Sequence, residues 1–94
     1  MSESVISNER ECFVCGRAEG LHRHHIFEGR GRRAIAEEHG AWVYLCGRHH
    51  NLSDAGVHFD KSLDTRLKKE AQESLERVLE SRAEFMRLFG RSYL

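Results

Sequence analysis

Two stretches decide how this 94-residue chain is read: Leu21-His22-Arg23-His24-His25-Ile26, and Trp42-Val43-Tyr44-Leu45-Cys46-Gly47-Arg48-His49-His50-Asn51. Each is a short run with apolar flanks that reaches a pair of adjacent histidines, and the second carries a cysteine as well. Folding the two together puts four imidazoles in one small volume. That arrangement is costly unless a metal ion or a reaction uses it. All seven histidines of the chain fall between His22 and His58, which locates the chemistry in that segment.

Upstream lies Cys12-Phe13-Val14-Cys15-Gly16, a knuckle whose spacing lets both sulfurs turn to one ion while Gly16 takes a conformation that a side chain would resist. Downstream, Cys46-Gly47-Arg48-His49 repeats the two-residue gap. Two such half-sites predict a closed, structural Cys3His zinc site made by Cys12, Cys15, Cys46 and His49. Packing the cysteines as small hydrophobes would leave His49 and the paired spacing unexplained. A redox motif would leave Cys46 and His49 idle and lacks its strand-helix context. Three cysteines cannot all pair within the chain, and a reducing cytosol would not keep a disulfide.

Between the half-sites, Leu21 to Phe27 reads as a strand that sends His22, His24 and Ile26 to one face and Arg23 and His25 to the other. Arg32 to His39 is a short helix ended by Gly40, and Ala41 to Leu45 is a second strand, antiparallel to the first. A short helix from Arg48 to about Leu52 precedes a turn at Ser53 to Gly56. Within it, His49 and His50 would point about 100 degrees apart, one toward the zinc and one toward a groove. Trp42 and Tyr44 are expected in the core. His22 and His39 are expected to be structural or surface residues, although His22 shares a strand face with His24.

Beyond residue 60, Leu63, Leu67, Ala71, Leu75 and Leu79 recur every four residues, with Val78 widening the stripe. Acid-first pairs, Asp64 with Lys68 and Glu73 with Arg77, support a long helix. Asp60, Ser62 or Asp64 could cap its start. Ser81-Arg82-Ala83-Glu84 matches a capping box and predicts a break before a last helix closed by Gly90. This tail either packs as a lid over the hairpin and knuckle or offers a partner helix for a coiled coil.

The organisation expected is a flexible N-terminus over 1–10, a zinc-stapled core over 11–60, and C-terminal helices over 61–94 packed on that core. A single domain of this size buries only about 60 to 65% of its unfolded surface, so a staple is expected. The N-terminal residues lack the pattern of a signal peptide, and no apolar run approaches the roughly 18 to 20 residues of a membrane span. The expectation is a soluble, cytoplasmic protein with no membrane partner, monomer or dimer. Fifteen basic residues balance fifteen acidic ones, which argues against holding nucleic acid by bulk charge alone. Arg30, Arg32 and Arg33 nevertheless crowd one loop, and with Arg48 they are candidates for phosphate contacts.

On a strand, His24 and His25 cannot both bind one ion. One can hold a metal while the other reaches a substrate, with His50 as the nearest further ligand and His58 after it. An open metal site beside a free imidazole suits phosphodiester hydrolysis. His58 joins only if the turn before it folds back; otherwise it caps the tail helix.

A Cys-x-x-Cys knuckle, a strand ending His24-His25-Ile26, and an apolar strand ending Leu45-Cys46-x-x-His49-His50 together resemble the HNH endonucleases. Their fold is the ββα-metal (His-Me finger) core, and the likeness is to the small zinc-stapled members of phages and prophages. It covers roughly Cys12 to His58, and the helical tail is similar to that of short phage-encoded members. It implies a metal-dependent DNA endonuclease or nickase acting in the host cytoplasm. In that reading His25 is the general base, and His24, His50 and His58 hold a catalytic Mg2+, Mn2+, Ni2+ or Zn2+ beside the structural Zn2+. DNA is the implied substrate, and phage packaging proteins or another protein are implied partners. The family's middle asparagine has no counterpart before Leu45, where Ala41 and Trp42 stand. Asn51 is left as its candidate, as a ligand or as the residue that orients His25. The competing expectation is a zinc-stapled adaptor, binding DNA or protein, whose nuclease site is degenerate.

Overall fold

The computed structural model describes residues 3–29, 31–50, 56–58 and 60–94. Among them the chain is a small α+β domain with one two-stranded antiparallel sheet and four helices. Strand β1 is Leu21–His25 and strand β2 is Trp42–Cys46, paired from Leu21 opposite Cys46 to His25 opposite Trp42. β1 stops two residues short of the expected Phe27. Ile26 donates its N–H to Ala41 O at 3.0 Å, and both Ile26 and Phe27 turn into the core. Strand alternation then leaves His22, His24, Val43 and Leu45 on one face, and Arg23, His25, Trp42 and Tyr44 on the other.

Helix α1, Arg32–His39, connects the strands and ends at Gly40, whose φ of 77° lets its N–H return to Ala36 O. Gly40 has a second reason to lack a side chain, because a Cβ there would strike the carbonyl of Glu3. The N-terminal segment crosses at this point. Val5 N–H donates to Gly40 O at 2.9 Å, and the buried Ser4 donates its hydroxyl to Trp42 O at 2.6 Å. Residues from Glu3 onward, expected to be flexible, thus make defined contacts with the core.

Helix α2, Gly47–His50, follows β2 directly. Arg30, Asn51, Leu52 and residues 53–55 of the turn expected from Ser53 to Gly56 lie outside the described residues. The chain is described again from Gly56, where Val57 N–H donates to His49 O at 2.7 Å and His58 N–H to His50 O at 3.4 Å.

Helix α3, Lys61–Leu79, is capped by Asp60, which accepts Leu63 N–H at 3.2 Å, and carries the Asp64–Lys68 pair at 2.8 Å. Its buried stripe is Leu63, Leu67, Ala71 and Leu75. One expectation about this stripe needs correction, and one buried residue went unforeseen. Val78 is 69% exposed and does not widen the stripe, whereas Gln72 is fully buried. The C-terminal residues return along the Gln72 side, and its amide accepts Tyr93 N–H at 2.6 Å and donates to Ser92 Oγ at 3.0 Å. The expected pair of Glu73 with Arg77 does not form among the described residues; Arg77 donates instead to Ser74 Oγ, 3.4 Å away.

The chain breaks at Glu80, with φ 56°, before helix α4, Arg82–Phe89. Ser81 accepts Glu84 N–H at 3.0 Å, but the Glu84 carboxylate holds Arg87, so only that arm of the capping box is made. Phe27 packs on Phe85, Phe89 and Tyr93 with ring centroids 5.4, 4.5 and 5.2 Å apart. One continuous core joins these rings to Val43, Leu45, Leu67 and the buried Cys12 and Cys46. The tail therefore closes over hairpin and knuckle. No helix among the described residues is long and apolar enough to cross a membrane.

Candidate metal centres and groove

The knuckle brings Cys12, Cys15, Cys46 and His49 together with all four ligand atoms within 4.8 Å of one another. Phe13 N–H donates to Tyr44 O at 2.9 Å, which hangs the knuckle on β2, and α2 carries His49 back toward Cys46. A tetrahedral zinc with Zn–S bonds of about 2.3 Å holds its sulfurs about 3.8 Å apart and a sulfur and nitrogen about 3.5 Å apart. Here Cys15 Sγ and Cys46 Sγ are 3.7 Å apart, and His49 Nδ1 stands 3.7 Å from Cys12 Sγ and 3.3 Å from Cys46 Sγ. The spacing fits a metal such as zinc.

The electrostatics agree. Burial pushes the Cys12 thiol up, but backbone N–H groups of Cys46, Cys15 and Val14 outweigh it and bring the thiol down to about 6. The Cys15 thiol goes up: Arg17 N–H opposes the rise, while desolvation and the neighbouring sulfurs of Cys12 and Cys46 prevail. Crowded thiolates repel one another unless a cation stands among them.

A second cluster joins His24 of β1, His50 of α2 and His58, with ligand atoms again within 4.8 Å of one another. His50 Nε2 and His58 Nε2 are 3.2 Å apart, and the buried His24 Nε2 has no hydrogen-bond partner. Burial, with His50 and His58 beside it, pushes His24 down to about 3, and burial followed by His58 and His22 lowers His50. Both rings are therefore held in the neutral form that can give a lone pair to an ion. The residues fit a metal. His22, expected to be structural or at the surface, takes part from the other side of His50, with the two Nδ1 atoms 2.9 Å apart.

A groove of about 350 Å³ passes this cluster and is lined by His24, His50 and His58, by His25 from the opposite strand face, and by Arg23 and Arg33. A larger depression of about 520 Å³ runs along α3 past Lys61, Arg66 and Lys69, but neither histidine nor cysteine lines it. At the groove, Arg23 lies over the Trp42 ring at 3.8 Å and donates through Nη1 to both oxygens of Glu37, at 2.8 and 2.9 Å. Glu37 Oε1 is also 3.6 Å from His25 Nε2.

Arg32 is not among the groove residues, because its Nη1 donates to Leu88 O at the end of α4, 3.2 Å away. Arg48 is exposed on α2. Sequence reading singled out neither Glu37 nor Arg23 as a functional residue. Glu37 sits in a charged helix where a solvated acid is the ordinary expectation, and only the approach of α1 to β1 distinguishes it. His22 had one local clue, its shared strand face with His24. No family model matches this chain, and neither a curated protein nor a solved structure does.

Proposed function

We propose that the protein is a metal-dependent nuclease of HNH type that hydrolyses phosphodiester bonds in DNA, with His25 as general base. The observation that carries this reading is the meeting of two strand faces in one groove: His24 belongs to a three-imidazole cluster, while His25 lines the same groove from the other side of β1. A divalent ion held by His24, His50 and His58 would neutralise charge on the scissile phosphate and its leaving oxygen. The all-imidazole donor set suits zinc or nickel better than magnesium. His25 takes the proton of the attacking water, and Arg33 and Arg23 offer positive charge to the neighbouring phosphates. The knuckle ion is structural in this reading, since four protein ligands leave it no open position.

A second reading, a zinc-stapled adaptor without activity, is favoured by the balanced net charge and by the buried Ala41 and Trp42 where the resemblance expects an asparagine. Plasmid nicking separates the two. At low salt, with magnesium, manganese, nickel or zinc added singly, the protein is expected to nick DNA, and His25→Ala to lose about 100-fold or more of that rate while staying folded and zinc-loaded. Unchanged turnover in the variant would move the base to another residue. Absence of cleavage with every ion would leave the adaptor.

A further inference from the structure

Glu37 of α1 stands at the back of the His25 ring, and we propose that it is the positioning residue of the site: it takes the Nε2–H of His25 and so leaves Nδ1 bare toward the groove. The assignment rests on the reading of His25 as the base. His25 Nε2 is buried without a hydrogen-bond partner, and Glu37 Oε1 is 3.6 Å away. That gap exceeds a hydrogen bond by less than 1 Å, and catalytic contacts of this kind shorten when substrate is bound.

The carboxylate is held where it can serve. Arg23 binds both of its oxygens through one nitrogen, and the guanidinium is itself packed on Trp42. An ionised carboxylate has about four lone-pair sites, so the pair with Arg23 leaves acceptor capacity for His25. Glu37 and Arg23 therefore do more than neutralise each other. They fix which nitrogen of His25 carries the resting proton, as a neutral imidazole has one donor and one acceptor. In the proton transfer, Nδ1 takes a proton from water while the oxygen of that water forms the new bond to phosphorus and the bond to the leaving oxygen breaks. The leaving oxygen takes its proton from solvent. The imidazolium keeps its Nε2–H directed at the Glu37 oxygen, so the ring does not turn during the transfer.

This explains how a chain with Ala41 just before β2 and Trp42 at its start can still orient its base: the orienting group comes from α1. The test is the tautomer of His25, read by long-range 15N–1H NMR on the zinc-loaded full chain, in the protein itself and in Glu37→Ala and Glu37→Gln. The expected result is an Nε2–H tautomer in the protein, a mixture of tautomers in Glu37→Ala, and retention in Glu37→Gln, whose amide oxygen still accepts. Nicking kinetics should follow, with kcat about 10- to 100-fold lower in Glu37→Ala, KM unchanged, and most of the rate restored in Glu37→Gln. A resting Nδ1–H tautomer, or a Glu37→Ala spectrum identical to that of the protein, would overturn the proposal. Should Glu37→Ala fail to fold, the spectra of the protein and of Glu37→Gln decide by the same criterion. Loss of the nuclease reading is a distinct outcome: there the protein itself cleaves nothing, whichever tautomer it shows.

Discussion

His50 has both ring nitrogens engaged, Nδ1 with His22 and Nε2 with His58. A neutral imidazole carries one proton, so an ion bound at Nε2 requires the proton on Nδ1 and makes His22 the acceptor. His22→Ala is therefore expected to weaken metal binding at the histidine cluster about 10- to 100-fold while the knuckle keeps its ion. Competition against a chromophoric chelator measures this, and an unchanged affinity would mean that His50 is oriented without His22. The split between His24 and His25 was legible from the sequence, because strand alternation is a local rule. The participation of His22 was only half legible, since its partner comes from α2, 28 positions away. Glu37 and Arg23 were hidden for the same reason: their roles arise from the packing of α1 against β1, which no spacing within either segment announces.

Among the elements, the ends of α1 separate two effects that glycine can serve. Gly31 and Gly40 have nearly equal positive φ, 79° and 77°, but a Cβ at Gly31 meets nothing within 4 Å while one at Gly40 strikes the Glu3 carbonyl. Gly31→Ala is expected to destabilise by about 1 kcal/mol from backbone conformation alone. Gly40→Ala carries the same term plus displacement of the N-terminal segment, and about 3 kcal/mol is expected. Urea midpoints compare them, and equal losses would show that the N-terminal crossing contributes no stability. Caps at Gly40, Asp60, Ser81 and Gly90 were readable because capping involves only neighbours. The inner face of α3 was less so. Helical periodicity cannot tell Val78 from Gln72 when the deciding partner, the backbone at Tyr93, lies at the far end of the chain.

Over the whole molecule, the core is one continuous body that includes Cys12 and Cys46, so the knuckle is part of the hydrophobic interior. A domain of this size has little stability to spare. Removing the ion with a strong chelator, or substituting Cys46→Ala, is expected to abolish the cooperative thermal transition, and an unchanged melting curve would remove the staple from the account. His49 and His50 are adjacent on the single turn of α2, one serving each cluster. The consequence is mechanical linkage: a turn this short has no room to bend between neighbours, so any rotation that re-aims His49 at the knuckle re-aims His50 in the groove as well.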